Sequence, residues 1–189
     1  MRHLLLTLCI FFATIAANAQ EHLSFKGIPI EGSISTFCQK LKAKGFVQIH
    51  SKDNIRLFRG DFTGRDANIG VVADQTGKKV FSVIVIFPKS DEWDSLVNKY
   101  DYYKGLYTEK YGNPSYCREY NPSSNDSNIF LMREVEQGTV VYGSVFDAPG
   151  GTIELSIDKA DGVYQGQVII RYKDAQNIES KRQADLDEI

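Results

Sequence analysis

Residues that commonly carry out acid–base or metal chemistry are sparse in this chain. Only three of its 189 residues are histidines, and His22 and His50 lie far apart, without the HExxH spacing of a metalloprotease. The chain also lacks the GxSxG motif of serine hydrolases and the glycine-rich phosphate loops GxxxxGK[ST] and GxGxxG. We therefore expect no catalytic motif, no resident metal and no bound cofactor.

The cysteines allow two interpretations. Cys38 and Cys117 remain once the apolar N-terminal run that contains Cys9 is set aside. In an oxidising compartment such a pair can form a disulfide, and two free thiols that pack as small apolar groups are the alternative. A nucleophile made from Cys117 and His50 is a further hypothesis, although no residue near either cysteine in the sequence would activate its thiol.

Paired carboxylates are the alternative catalytic hypothesis, because the two acids of a glycosidase can be distant in the chain. Asp61, Asp74, Asp147 and Asp158 are candidates in this sense. Asp74 and Asp158 end strands at matching places in an internal repeat, which is typical of turn residues. An exported hydrolase that acts on a glycan or a peptide is therefore the alternative to a binding protein.

Tyrosine is abundant, with ten copies in the chain. Several tyrosines fit the buried stripe of a predicted helix, but Tyr102 falls off that stripe. Tyr116 and Tyr120 share one face of the strand that follows, because side chains alternate along a strand. Tyrosine is enriched at protein interfaces, so Tyr102, Tyr116 and Tyr120 are candidates for an interaction surface. A tyrosine-rich edge of the core is the alternative.

The apolar periodicity of the chain predicts an α+β fold with antiparallel sheets. Ile34, Phe37, Cys38 and Leu41 recur at helical spacing, which predicts a helix that buries Cys38 and ends at Gly45. A second helix is predicted over residues 91–111. The remaining apolar runs are predicted strands, at residues 23–30, 46–50, 55–62, 67–73, 80–87, 115–120, 139–146, 152–157 and 163–172. Short turns separate the four runs within residues 46–87, which favours antiparallel neighbours. Residues 129–136 fit a helix or a strand.

The first 19 residues have the pattern of an export signal. Arg2 and His3 precede an apolar run over residues 4–15, and Ala17-Asn18-Ala19 matches the A-x-A cleavage pattern. We expect cleavage after Ala19, with an uncleaved anchor as the alternative, and no lipid attachment, because no cysteine follows the run. The mature chain has no later run of membrane-spanning length, so we expect it in the periplasm or outside the cell. A net charge of -2 argues against nucleic-acid binding.

An internal repeat is the most specific feature of the sequence. Residues 62–87 and 146–172 share their pattern, with Phe62 matching Phe146 and Ile69 matching Ile153 at one common offset. We predict two tandem units, each a helix and a four-stranded antiparallel sheet, that arose by duplication. The units cover residues 20–90 and 91–173, with an insertion in the second near 113–138, and residues 174–189 form a charged tail or helix. Two sheets that share only hairpin spacing are the alternative.

The stretches HLSFKGIPIEGSISTFCQKLKAKGF, RGDFTG, IGVV, VIVIFP and LYTEKYGNPS resemble an uncharacterised family of small exported proteins from Gram-negative anaerobes. The resemblance covers most of the mature chain, but its motifs are structural, so it implies no catalytic residue. The plan of duplicated α+β units is also similar to the architecture of the β-lactamase inhibitor proteins, which is a likeness of fold and not of function.

Export, an antiparallel sheet and the absence of catalytic motifs favour a non-catalytic binding module of the cell envelope or secretome. Its expected partner is an unidentified protein or glycan. An envelope protein that pairs with itself is a further hypothesis.

Overall fold

The computed structural model describes residues 21–189 of the chain, and the expected export signal lies outside the described residues. The helices and strands are, in chain order, β1 (Ser24–Phe25), β2 (Ile28–Pro29), α1 (Ile34–Ala43), β3 (Val47–Lys52), β4 (Ile55–Phe62), β5 (Arg65–Ala73), β6 (Val80–Ile86), α2 (Trp93–Tyr111), β7 (Tyr116–Tyr120), α3 (Asn128–Gln137), β8 (Val141–Ala148), β9 (Gly151–Lys159), β10 (Gly166–Asp174) and α4 (Ala175–Asp187).

Strands β3 to β10 form one sheet in the order β3-β4-β5-β6-β10-β9-β8-β7, and every neighbouring pair in it is antiparallel. This confirms the predicted α+β class and the antiparallel sheet. Strands β6 and β10 lie at the centre, and β3 and β7 form the two edges. The two sets of four strands therefore meet through a single strand pair.

The prediction of one strand over residues 23–30 was wrong, because the segment folds back on itself as the hairpin β1–β2. Lys26 and Gly27, at its tip, have φ angles of 48° and 74°. Two consecutive residues with positive φ are typical of the tight turns that join hairpin strands. The hairpin buries Phe25 and Ile28 in the core, so it serves as a cover for the sheet.

Two segments that the sequence left undecided are helices. Residues 129–136 lie within α3, which buries Met132 and Val135 and ends at Gly138 in the left-handed conformation. The charged tail docks as α4, where the Asp174 carboxylate accepts the backbone N–H of Asn177 at the first turn. The buried Asn177 amide also donates to the carbonyls of Ile30 and Val80. None of the helices in residues 21–189 has the length and apolar character needed to cross a bilayer.

The N-terminus of α2 is capped by a residue that lies far along the chain. Glu92, at the cap position, makes no side-chain capping hydrogen bond. Instead, the Asn128 side chain accepts the backbone N–H of Trp93 at 2.8 Å and donates to the carbonyl of Asp91. This cap satisfies one of the N–H groups that a helix start leaves without an intrahelical partner, and it joins α2 to the first residue of α3.

The two faces of the sheet differ in burial. Phe58, Ile69, Val85, Ile170 and Leu155 are cross-strand neighbours in one row, and each is at most 1% exposed. Helices α1, α2 and α3 and the β1–β2 hairpin pack on this side, which we call the helix side. Side chains at the alternate strand positions point to the other side, which we call the open face.

Gly60 provides a test of packing on the helix side. A Cβ atom at this position would lie 2.4 Å from Cδ1 of Phe46, which is buried over β4. We expect Gly60→Ala to lower the free energy of unfolding by about 1–3 kcal/mol, because the Phe46 ring must move in a close-packed core. The midpoint of urea unfolding measures the change.

Gly70→Ala is the matched control. Gly70 lies in the neighbouring strand on the open face, and its added Cβ would lie 3.7 Å from Ile84, an ordinary contact distance. We expect a change within about 0.5 kcal/mol. Equal losses of stability in the two variants would contradict the assignment of the faces.

Candidate binding surface

The open face has an apolar centre. Ile86 in β6 pairs directly with Ile169 in β10, and Ile84 lies beside them on the same face. Leu57 continues the apolar area onto β4 through Gly70 in β5, its partner in the register. Ile169 is buried among its neighbours, and Leu57, Ile84 and Ile86 are half-buried. The structure thus leaves aliphatic side chains in the middle of a broad sheet partly open to solvent.

Paired charges border this apolar centre on one side. The Arg171 guanidinium donates to Asp158 at 2.5 Å and to the Ser156 hydroxyl at 2.9 Å, and Lys173 pairs with Glu154 at 2.5 Å. All five side chains project from β9 and β10 onto the open face. Because these pairs are partly exposed, each contributes little to stability. They neutralise one another, so this flank is polar without a strong net charge.

A hollow of about 310 Å³ lies at one end of the open face. Arg59, Asp66, Asn68, Ile86 and Pro88 line it. Arg59 and Asn68 are direct cross-strand partners, and Asn68 in turn pairs with Ile86. The hollow therefore combines an exposed cation and an amide with the edge of the apolar centre, an arrangement that can accept a protruding side chain of another molecule.

The structure brings together two of the three tyrosines predicted to form an interaction surface. Tyr116 and Tyr120 lie on the open face of the edge strand β7 and are 51% and 49% exposed. Tyr102 is 44% exposed, but it lies on α2, on the helix side, where the Arg65 guanidinium sits 5.0 Å from its ring centroid. The three tyrosines therefore do not form one surface.

Cys38 and Cys117 are both free. Cys38 is buried on α1, which packs over β5, whereas Cys117 is exposed on β7, five strand positions away. At about 4.8 Å per strand the separation is about 24 Å, far beyond the roughly 4.4–6.8 Å between Cα atoms in a disulfide. His50, on the opposite edge strand β3, is still farther from Cys117, so these two residues cannot act together.

Cys117 has polar neighbours. Its sulfur lies 3.5 Å from the Ser144 hydroxyl and 3.5 Å from the Glu119 carboxylate, which also pairs with Lys104. Partial burial would raise the pKa of Glu119, but hydrogen bonds from Lys104 and Cys117 outweigh it and lower that pKa. Tyr100 completes the group through a 2.6 Å hydrogen bond to Ser144, and burial raises its pKa.

The carboxylates considered for hydrolysis are dispersed. Asp74 organises the turn before β6 by accepting the backbone N–H of Lys78, and Asp158 is paired with Arg171. Asp147 lies on β8, whereas Asp61 lies on β4, five strand positions away in the sheet. Within residues 21–189, no group of three or more histidine, cysteine, aspartate or glutamate residues could hold a metal ion.

Sequence reasoning missed the apolar centre of the open face, although a signal for it was present. The run VFSVIVIF is apolar at both odd and even positions. A strand that covers a core with one face and meets water with the other alternates apolar and polar residues. Ile84 and Ile86 break that alternation, which marks the second face of β6 as apolar.

No family model, curated protein or solved structure matches this chain.

The two thiols are expected to differ in reactivity. In the native mature chain, Cys117 should react with a disulfide reagent such as 5,5′-dithiobis(2-nitrobenzoate) at least about 100-fold faster than Cys38, which is reached only through opening of the fold. Burial also raises the pKa of the Cys38 thiol, against the opposing effects of Arg56 and Lys42, and so reduces its reactive thiolate.

Cys117→Ser is the control and should remove the fast phase alone. After unfolding without a reductant, both thiols of the unsubstituted chain should react. Absence of any reactive thiol under these conditions would establish a disulfide and refute the separation of the two cysteines.

Proposed function

We propose that this chain is an exported, non-catalytic binding module that docks a folded protein partner on its open face. The observation that carries the proposal is the aliphatic centre around Ile84, Ile86 and Ile169, which faces away from helices α1, α2 and α3. An apolar area of this kind, bordered by polar residues, is typical of a protein interaction site.

The dimensions of the sheet support a protein partner. Its strands extend about 25 Å along the chain direction, and eight strands at about 4.8 Å spacing extend about 34 Å across. The resulting area of roughly 850 Å² compares with the roughly 800 Å² that each partner contributes to a stable protein interface. A partner of matching shape could bury most of this face.

The chemistry of the face favours a protein over other ligands. Nucleic acids and anionic membranes need an excess of exposed cations, whereas Arg171 and Lys173 are each paired with a carboxylate on β9. Sheet surfaces that bind sugars present aromatic rings, but the centre of this face is aliphatic and its exposed rings, Tyr116 and Tyr120, lie at the β7 edge. Arg59, in the hollow, offers an anchor for an acidic side chain of the partner.

We also infer that the two halves of the sheet arose by duplication. Along β6 and β10, each residue of one strand then matches a residue of the other at the same offset in the sequence. The repeated runs end at Phe87 and Tyr172, and counting back from these two ends matches Val85 with Ile170. The register of the central pair supports this inference, since Val85 faces Ile170. Ile84 of β6 and Ile169 of β10 are likewise counterparts. Both side chains lie on the open face, on neighbouring strands. An approximate twofold axis would then pass through the Val85–Ile170 pair.

An experimental structure tests the duplication. Residues 55–87 should superpose on residues 141–172 with Val85 on Ile170. A best superposition that displaces β6 by one residue, which exchanges its two faces, would refute a common origin.

Capture of the partner tests the docking proposal. The mature chain, residues 20–189, is immobilised and exposed to envelope extract and culture fluid of the producing cells, and a stoichiometric protein is identified by mass spectrometry. Ile84→Lys places a charge in the apolar centre, so it should weaken binding of that protein at least about tenfold.

Gly105→Lys is the matched control, because it places the same charge on the helix side, where a Cβ atom meets nothing within 4 Å. It should bind the partner like the unsubstituted chain, as should Tyr102→Ala. Thermal unfolding checks that all variants are folded. Equal binding by Ile84→Lys and Gly105→Lys, or capture of no protein, would reject the open face as the docking site.

A further inference from the structure

A hollow lies on the helix side, away from the docking surface. It has a volume of about 490 Å³ and lies between the C-terminal half of α2 and the turn that joins β4 to β5. A second hollow of about 300 Å³ shares Tyr107, Lys110 and Tyr172 with it and reaches the residues around the β1–β2 hairpin. We call the first hollow the aromatic cleft. Its volume is within the range of small-molecule sites.

The walls of the aromatic cleft are apolar. Phe62 and Tyr103 are buried, with ring centroids 5.9 Å apart, and Leu106 faces the cleft from α2 with 38% of its surface exposed. The Tyr103 hydroxyl is already used, because it lies 2.7 Å from the Thr63 hydroxyl, which donates to the carbonyl of Phe62. These groups can enclose a planar apolar ring, but they provide no free polar contact.

Tyr107 and Tyr172 also line the aromatic cleft, and their hydroxyl groups provide a free polar contact. They lie 2.6 Å apart, and both residues are more than nine-tenths buried. Each hydroxyl carries a single proton, so one hydrogen bond between them leaves one O–H without an acceptor among the described residues. Burial is the main cause that raises the pKa of both tyrosines well above the usual value, which keeps both protons in place.

A buried O–H that lacks an acceptor destabilises the fold, so an acceptor atom in the cleft would bind favourably. Lys110 lies at the rim with its ammonium 5.0 Å from the ring centroid of Tyr111, and it forms no ion pair within residues 21–189. Glu109 also lies at the rim, and its carboxylate would repel an anion placed close to it. Both available contacts therefore favour a negatively charged acceptor placed between Lys110 and the tyrosine pair.

We propose that the aromatic cleft binds small carboxylic acids with an apolar ring, the ring between Phe62, Tyr103 and Leu106 and the carboxylate at Lys110 and the Tyr107–Tyr172 hydroxyls. This site is independent of the proposed docking function, because it lies on the opposite side of the sheet.

Phenylacetate is the probe, with phenylacetamide and phenethylamine as its neutral and cationic counterparts. The mature chain labelled with ¹⁵N is titrated with each compound, and the amide resonances of Thr63, Leu106 and Lys110 are followed. With about ten heavy atoms, phenylacetate should bind with a Kd of a few millimolar or lower, more tightly than either counterpart. Tighter binding of phenethylamine, or no shift of these three resonances, would overturn the proposal.

Substitutions separate the two polar contacts. Lys110→Gln, at an exposed position, should weaken phenylacetate about tenfold and leave phenylacetamide unchanged. The double variant Tyr107→Phe and Tyr172→Phe should weaken both compounds at least tenfold. Either single variant retains one O–H and should weaken them less than threefold.

Tyr103→Phe is the matched control, because its hydroxyl is already bonded to Thr63, and it should bind both compounds normally. If the double variant unfolds, the Lys110→Gln comparison still decides the carboxylate contact. An equal loss of phenylacetate and phenylacetamide in Lys110→Gln would refute that contact.

Discussion

The pairing of β6 with β10 is the interaction on which the rest of the structure depends. It joins four strands on each side into one sheet. Both strands are apolar on the helix side, through Val85 and Ile170, and carry isoleucine on the open face as well. An apolar strand at a sheet edge promotes aggregation, because its backbone groups are unpaired. Strands β6 and β10 avoid this because each has a neighbouring strand on both sides.

This central position also explains why the two sides of the sheet differ. On the helix side, Phe25 of the β1–β2 hairpin packs against Phe62 and Tyr172, with ring centroids 5.8 and 5.2 Å apart, and so connects elements from both halves. Helices and hairpin enclose this side but leave an aromatic cleft beside α2. The open face, turned away from these elements, keeps a broad aliphatic centre. One side therefore suits a small ring, and the other suits a protein surface.

Local patterns determined most of the elements. The stripe from Ile34 to Leu41 predicted α1, which Ser33 caps in the structure, and strand β4 has the predicted bounds. The patterns failed where tertiary contacts choose the conformation. Residues 129–136 became α3 because Met132 and Val135 are buried and Asn128 caps α2, a contact that spans 35 residues. The β1–β2 hairpin was missed because Lys26, a residue without turn preference, adopts a positive φ.

The sequence by itself determined which residues share a face of a strand or a helix, because side-chain direction follows from the period of each element. It therefore predicted that Cys38 is buried and that Tyr116 and Tyr120 lie together. Only the tertiary structure decided which faces meet, because strand order depends on contacts between distant segments. That order separated Cys38 from Cys117, placed Tyr102 opposite the other two tyrosines, and brought the Tyr107 and Tyr172 hydroxyls together.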